Sequence, residues 1–256
     1  MNLIDIYTIA LNIFKRGKLV NLFSVNSDSK TVKGLKKGYL TGILYLAPHK
    51  LSGFNTCANA INCVKSCLFN AGRGKFNSVI TARIKKTFFY VHFREFFYNS
   101  LRLSIDTLIR KASRENLIPC VRLNGTSDLN FYNSGIMNQY DTVQFYDYTK
   151  NRLKPHQLNK LPSNYNLTFS FDNTKKNKEY CINSPLNFAV VFNTKNSNDF
   201  PSEIFGYKVI NGDKSDLRFL DKNKVCVGLT AKGSKKEIEQ GIKDNFIIET
   251  DLSNLL

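Results

Sequence analysis

Acidic residues are few in this 256-residue chain: 20 Asp and Glu stand against 37 Lys and Arg, for a formal net charge of +17. Such an excess attracts polyanions, so nucleic acid or a nucleotide is the first partner to consider. The alternative is that a Lys- and Asn-rich composition spreads lysine over any solvated surface, which gives the same net charge without a polyanionic partner. The basic residues are indeed scattered, with local clusters at residues 33–37, 85–86, 175–178 and 235–236.

Long apolar runs are also lacking. The longest uncharged stretches, such as residues 38–49, fall well short of the ~20 residues that span a bilayer, so no membrane partner is expected. The apolar start MNLIDIYTIALNIF carries Asp5 and has neither a basic n-region nor a small-residue cleavage site. We therefore expect a cytoplasmic protein, whose six cysteines serve as ligands, nucleophiles or core residues rather than as a disulfide framework.

Several functional motifs are absent. The three histidines, His49, His92 and His156, form no His-x-His pair, which disfavours a rolling-circle replication protein. The segment GLTAKG does not have the G-x-x-x-x-G-K-[ST] order of a phosphate-binding P-loop. Zinc-finger spacing and a recognisable reading helix are missing as well, so sequence preference on DNA should be slight.

Core-forming residues are abundant, with 42% hydrophobic and 12% aromatic residues. A chain of this length buries about three quarters of its unfolded surface. We predict a leading segment at residues 1–36, apolar and then polar and basic, followed by a single α/β domain at residues 37–256.

Seven segments of this domain begin with a β-type apolar run and end in polar residues. This pattern is typical of a parallel α/β barrel or open sheet, whose active sites gather at the carboxyl ends of the strands. Because several spacers are too short for complete helices, we predict an incomplete or irregular (β/α) barrel with mostly parallel strands. The segments are GYLTGILYLAP, CVRLNGTSDL, TVQFYDYTK, YNLTFSFDN, NFAVVFNTK, YKVINGDKSDLRF and VCVGLTAKG.

Residues 77–113 show helical periodicity, and their apolar stripe predicts core packing. The stripe consists of Phe89, Phe93, Phe97, Leu101, Ile105 and Leu108.

Three of the six cysteines, Cys57, Cys63 and Cys67, follow the spacing C-x5-C-x3-C on a loop after the first strand. Thiolates need such closeness to share one soft metal or cluster. Three buried small hydrophobic side chains are the alternative. Zinc would require a fourth ligand, and the stretch has no histidine, whereas an iron–sulfur cluster on three cysteines leaves one iron open for chemistry. Cys120 and Cys226 begin strands and should be core residues, and Cys181 stays undecided.

The tip RLNGTSD follows the second of these strands. Gly125 allows backbone N–H groups to approach a ligand, so the turn is a candidate cofactor-binding segment. An Asx or Ser/Thr turn that caps the next helix is the alternative. The candidate residues are Asn124, Gly125, Thr126, Ser127 and Asp128.

Three further tips supply the other candidates. In FYDYTK, Asp147 and Tyr148 are acid–base candidates and Lys150 is a phosphate or carboxylate partner. Asp147 and Lys150 are the favoured catalytic residues, because both lie near the end of the strand. In NGDKSDLRF, Asp213 is a candidate catalytic residue, while Asp216 and Arg218 could bind ribose hydroxyls and a carboxylate. A solvated turn with an internal ion pair is the alternative for this cluster. Two cations, Lys232 of GLTAKG and Arg73 of GRGK, complete the cofactor-binding set.

The ordered motifs NTCANAINCVKSCLFNAGRGKF, VRLNGTSDL, VQFYDYTK, YNLTFSF, AVVF and VINGDKSDLRFLD resemble a phage protein family, the gene product eighty-eight type, over roughly residues 40–235. Its barrel-like layout is similar to that of radical S-adenosylmethionine enzymes, whose usual cysteine spacing is C-x3-C-x2-C. The resemblance implies a 4Fe-4S cluster on the three cysteines, S-adenosylmethionine at the second strand's tip, and the cytoplasm of an infected host cell.

Three functions follow from these features. The first is a phage metalloenzyme with an iron–sulfur cluster, acting on nucleic acid or a nucleotide. The second is a basic nucleic-acid-binding protein without catalysis, in which the cysteines hold structural zinc. The third is a hydrolase or nuclease that uses Mg²⁺ on Asp213 and Asp216. Composition and motifs leave the oligomeric state undetermined.

Overall fold

A ten-stranded sheet forms the centre of the molecule in a computed structural model, which describes residues 2–26, 29–67, 69, 72–252 and 255. The strands are β1 Phe23–Val25, β2 Tyr39–Leu44, β3 Ile118–Arg122, β4 Gln144–Thr149, β5 Tyr165–Ser170, β6 Phe188–Phe192, β7 Glu203–Ile204, β8 Tyr207–Asn211, β9 Val225–Thr230 and β10 Ile247–Ile248.

Most of the sheet is parallel. Its order is β1-β2-β3-β4-β5-β6-β9-β8-β7, and only the β1–β2 and β7–β8 pairs are antiparallel. The seven segments predicted as strands all form parallel strands, which confirms a mostly parallel α/β arrangement. In the described residues β1 and β7 form the two ends of the sheet, so it is open rather than closed.

Strand β10 enters the sheet where β5 and β6 separate. β6 pairs with β5 through Phe188 and Ala189, and with β10 through Val191 and Phe192. The parallel β10 therefore takes the place of β5 beside the carboxyl end of β6. The chain that follows β5 therefore does not continue beside the carboxyl end of β6.

The residues that the structure describes form seven α-helices. They are α1 Leu3–Lys15, α2 Ser29–Leu35, α3 Asn77–His92, α4 Arg94–Arg114, α5 Pro155–Leu158, α6 Lys175–Asn183 and α7 Lys235–Lys243. Short 3-10 helices lie at Gly72–Lys75, Phe131–Ser134, Met137–Gln139, Ser197–Asp199 and Arg218–Leu220. Among the described residues, β3 and β4 are connected by 3-10 turns alone. None of these helices is long and apolar enough to cross a membrane, within the residues described.

The single helix predicted at residues 77–113 is two helices, because the backbone leaves the helical region at Phe93 (φ −130°, ψ 62°). This turn lets the Phe93 ring stack on Phe14 of α1, with ring centroids 3.8 Å apart. The predicted apolar stripe is confirmed as core: Phe97 and Leu101 are fully buried against the sheet.

The leading residues pack into the same core. Helix α1 contacts α3, and Ala10 and Leu22 are fully buried in the main apolar cluster. Strand β1 then pairs with β2 at one end of the sheet. Residues 3–25 therefore contribute directly to the packing of the α/β core.

The two faces of the sheet are covered differently. One face buries Leu44, Val121 and Phe145 against helix α4. On the other face Cys120 and Tyr146 pack against residues 217–219, which follow β8. Cys120 and Cys226 are fully buried, as predicted for core positions, and Cys181 is buried as well.

Candidate functional site

The connection from β2 to α3 contains residues 55–67, called here the cysteine loop, and Thr56 anchors it. The Thr56 amide donates to the His49 carbonyl (3.1 Å), and its hydroxyl donates to the Ala47 carbonyl (2.6 Å). Its own carbonyl accepts a hydrogen bond from the Asp128 amide, which follows β3 (2.8 Å). The loop is therefore held over the carboxyl ends of β2 and β3.

The three thiols of this loop influence one another. Cys57, Cys63 and Cys67 are each partly exposed, and Cys67 raises the pKa of both other thiols by like-charge repulsion. Burial is the larger cause, and it raises the pKa of Cys63 to about 11. Free of metal, Cys57 and Cys63 are therefore protonated at neutral pH. Within the described residues, no three His, Cys, Asp or Glu side chains are close enough together to hold a metal ion.

An ion pair lies beside the cysteine loop. Lys150 Nζ is 3.4 Å from Asp172 Oδ2, and both side chains are almost buried. The same ammonium donates to the Ser170 carbonyl (3.1 Å) and lies 4.9 Å from the centre of the Phe246 ring. After burial, the charge of Lys150 is the largest influence on the pKa of Cys63, which it lowers, and Asp172 raises that pKa. This pair therefore links the ends of β4 and β5 to the loop.

Asp172 was absent from the predicted site residues, although it follows β5 in the same polar-tip position as the predicted acids. Its Oδ1 also accepts a hydrogen bond from Asn177 of α6. Asp172 would have been predicted if every polar residue in the tip after a predicted buried strand had been included among the site residues.

Asp128 joins the tips of β3 and β4. Its carboxylate accepts hydrogen bonds from Thr149 Oγ1 (2.7 Å) and from the Lys150 amide (2.9 Å). Burial raises the pKa of Asp128, and its negative charge in turn raises the pKa of Cys57. Asp128 is thus close to the cysteine loop, at the same edge as Lys150.

The remaining residues of RLNGTSD form an internally bonded turn. Asn124 Oδ1 accepts from Ser127 Oγ and from the Leu129 amide, both at 2.9 Å. At Gly125 a Cβ atom would lie 2.6 Å from the Tyr45 ring, so close packing against the chain after β2 requires glycine here. The Thr126 carbonyl accepts from Cys57 Sγ (3.7 Å). Asn124 therefore bonds residues three and five positions further on, which differs from an Asx turn, and the Thr126 contact places the turn against the cysteine loop.

Asp147 is fully buried in the middle of the sheet. Its Oδ1 accepts from the Asn124 amide (2.7 Å), and its Oδ2 accepts from the Tyr165 hydroxyl (3.2 Å). Burial raises the pKa of Asp147 to about 7, although both hydrogen bonds and Arg122 act in the opposite direction. The carboxyl group therefore exchanges its proton near neutral pH.

Replacing Asp147 by Asn should change how stability depends on pH. The folded pKa of about 7 lies above the free value of 3.8, so the contribution of Asp147 is full below pH 3.8 and is lost as the pH rises towards 7. Asn does not ionise, so the unfolding free energy of Asp147→Asn relative to the natural protein should rise by up to about 3 kcal/mol between pH 4 and 7. Urea unfolding at several pH values measures this. Asp141→Asn, at an exposed carboxyl, is the control, and parallel profiles for both variants would contradict the assignment.

Asp213 and Lys232 lie at the carboxyl ends of β8 and β9. Asp213 Oδ2 accepts from the amide (2.8 Å) and the hydroxyl (2.9 Å) of Thr230, and Lys232 Nζ is 3.6 Å from Asp213 Oδ1. Lys33 Nζ of α2 donates to the Asp213 carbonyl (3.0 Å). Asp213 therefore connects two strands and a helix at the same edge of the sheet.

Asp216 and Arg218 have buried partners on the second face of the sheet. Asp216 Oδ2 is 3.0 Å from Arg122 Nη1 and accepts a hydrogen bond from the Tyr146 hydroxyl (3.3 Å). Arg218 Nη1 is 3.3 Å from Asp221 Oδ2. The contacts of Asp216 hold the segment after β8 against β3 and β4, whereas the Arg218–Asp221 pair lies within that segment. Within the described residues, their hydrogen bonds and ion pairs do not include the cysteine loop.

The backbone of Arg73 lies in the 3-10 helix Gly72–Lys75, and its side chain is outside the part of the chain that the structure describes. Arg122, the buried partner of Asp216, was missed because its charged neighbour is 94 residues away along the chain.

Fold and site together define an open, mostly parallel α/β protein. Its carboxyl sheet edge carries three thiols, a Lys–Asp ion pair and the Asp128 carboxylate, and Asp147 is buried within the sheet. The family model of gene product 88 matches residues 21–248, so the chain belongs to this phage protein family. The predicted family resemblance is thereby confirmed. Neither a curated protein sequence nor a solved structure gives a significant match, and the radical S-adenosylmethionine resemblance gains no support from them.

Proposed function

We propose that Cys57, Cys63 and Cys67 hold an iron–sulfur cluster of the four-iron type, and that the protein is a phage metalloenzyme. The observation that carries this proposal is the grouping of three partly exposed thiols on one loop, each within electrostatic range of another, at the carboxyl edge of a parallel sheet. Such edges are where α/β proteins place their ligands and reactive groups.

The donor set suits a soft metal. Thiolate sulfur is the ligand that iron–sulfur clusters and zinc select, and coordination deprotonates a thiol. Ligand loops often gather only when the metal binds, because the binding free energy also orders the chain. Uptake would release the protons of Cys57 and Cys63 and should therefore be favoured by alkaline pH.

Residues of the chain would support such a site in distinct ways. The Lys150 ammonium, fixed by Asp172 and the Ser170 carbonyl, would balance part of the negative charge of three thiolates. Asp147, with a pKa of about 7, could hold or release a proton at neutral pH. When bound, a cluster would supply the one-electron chemistry that protein side chains lack.

S-adenosylmethionine is the co-substrate that we propose with the cluster. Three cysteine ligands leave one iron of a four-iron cluster without a protein ligand, which gives a small co-substrate room to bind. The turn that contains Thr126 and Asp128, which follows β3, would lie nearest to the bound S-adenosylmethionine, because both residues contact the cysteine loop.

The substrate class that we propose is nucleic acid or a nucleotide, and the net charge of +17 supports it. Binding to a single-stranded oligonucleotide should weaken steeply with salt, because neutralised phosphates release condensed counterions. Fluorescence anisotropy at a series of salt concentrations measures the slope. Affinity no better than about 1 mM at low salt would contradict this substrate class.

Anaerobic purification tests the metal proposal. We expect about four iron atoms per chain and a broad absorption band at about 400 nm. Zinc without iron would instead support the zinc-stabilised binding protein. If neither metal is found, and iron and sulfide added under reducing conditions are not retained, the metal-site proposal fails in both forms.

A further inference from the structure

A cavity of about 210 Å³ lies between strand β1, the end of β2 and the first turns of helix α3. Among the described residues that line it, two are cations and none is an acid. The residues are Ser24, Tyr45, Ser78, Val79, Ala82, Arg83 and Lys86. No described residue of the cysteine loop lines the cavity, although the charge of Cys67 acts on the pKa of Arg83, which it raises.

Arg83 is the most informative of these residues. Its side chain is only 8% exposed, yet Nε and Nη1 have no hydrogen-bond partner in the described part of the chain. Its guanidinium carbon lies 5.1 Å from the centre of the Tyr45 ring, a contact that fixes the group without using its N–H donors. Buried donors without an acceptor are costly and rare, so Arg83 indicates an acceptor that enters the cavity from outside.

Lys86 brings a second positive charge to the same cavity. One of its three donors is used by the Leu22 carbonyl at 2.7 Å. Burial, followed by the charge of Arg83, lowers the pKa of Lys86 to about 8. The two cations thus repel each other across the lining, and a negative group between them would relieve this repulsion.

The beginning of helix α3 adds a third favourable feature. The helix starts at Asn77, and the capping position, Phe76, offers no side-chain hydrogen bond. The Val79 amide donates to the Phe76 carbonyl (2.9 Å), but the positive end of the helix dipole still favours negative charge nearby. Ser78 and Val79 of this turn line the cavity, which places the positive helix end beside the two cations.

We propose that this cavity binds a small oxyanion, a phosphate or carboxylate group, through Arg83, Lys86 and the first turn of α3. Guanidinium groups recognise both kinds of oxyanion by charge-assisted hydrogen bonds. The volume is below the roughly 300–1,000 Å³ typical of pockets for whole drug-sized ligands, so the site would take an anionic group rather than a large molecule. It goes beyond the metal-site proposal and does not depend on it.

Calorimetric titration of the purified full chain with inorganic phosphate and with acetate, at constant ionic strength, tests the site. We expect saturable binding of at least one of them at one site per chain. Arg83→Gln and Lys86→Gln should each weaken it about 10- to 100-fold, because each removes a charge-assisted contact. Lys85→Gln is the matched control: Lys85 is the neighbouring helix residue but does not line the cavity, so its replacement should change affinity less than about twofold.

Two further measurements keep the result decisive. Arg83→Lys retains a charge and replaces Arg83→Gln if the latter does not fold by circular dichroism. A variant with serine at Cys57, Cys63 and Cys67 should bind phosphate or acetate as the natural chain does. This variant separates a failure of the metal proposal from a failure of the oxyanion proposal. If neither anion binds, or if Lys85→Gln weakens binding as much as Lys86→Gln, the oxyanion site is wrong.

Discussion

Replacing Cys57, Cys63 or Cys67 by alanine is expected to reduce iron in the anaerobically purified protein from about four atoms per chain to less than one. Each replacement removes one of three thiolate ligands, and two ligands are too few to retain a four-iron cluster. Iron analysis and the absorption band near about 400 nm measure the loss. Circular dichroism of each variant verifies that the α/β fold is intact, as expected for partly exposed loop positions.

Cys120 and Cys226 provide the matched controls. Both are fully buried, and Cys120 contacts the Thr41 hydroxyl at 3.2 Å inside the core. Alanine at either position should cost about 1 kcal/mol of stability through the lost packing and leave the iron content unchanged. An equal loss of iron from Cys226→Ala would exclude the assignment of the ligands to the loop alone.

Asp216→Ala should lower the free energy of unfolding by about 3 to 5 kcal/mol, as expected when one partner of a buried ion pair is removed. The Arg122 guanidinium, 3.0 Å from Asp216, would lose its counter-ion at 18% side-chain exposure. The buried Tyr146 hydroxyl would lose its acceptor at the same time. Urea unfolding of the metal-free protein measures the effect.

Two variants test whether the loss of stability comes from breaking this buried pair or from removing any one charge. Glu239→Ala breaks the exposed pair with Lys235, whose atoms are 3.9 Å apart, and should change stability by less than about 0.5 kcal/mol. The double variant Arg122→Met with Asp216→Leu removes both charges and should lose less than Asp216→Ala alone. A loss below about 1 kcal/mol for Asp216→Ala would show that the pair is unimportant for the fold.

The strands and the main core were predictable from local patterns. Apolar runs followed by polar tips predicted seven strands that pair in parallel, because strands buried between helices need continuous apolar sequence. The two-residue strand β10, which also pairs in parallel, was not predicted. The four-residue spacing of Phe97, Leu101 and Ile105 predicted a helix face that is fully buried in the structure. Both signals lie within short windows of sequence.

The break between α3 and α4 was not predictable from the same periodicity. The stripe continues through Phe93 at the helical interval, yet Phe93 ends one helix and precedes the next. Its ring stacks on Phe14 of α1, a contact made across a long stretch of chain. Tertiary packing therefore decided a local backbone angle that periodicity alone would have made helical.

The sequence by itself determined a basic α/β chain with its polar tips at one sheet edge and three cysteines on the first loop. Only the tertiary structure decided which polar residues meet: Lys150 with Asp172 beside Cys63, and Asp216 with Arg122 inside the sheet. It also produced the cavity at Arg83 and Lys86, where three elements converge. The signals for a strand or a helix lie within one short segment of sequence. Ion pairs and cavities are formed by residues that are far apart along the chain, and no local sequence pattern shows which of these residues will meet.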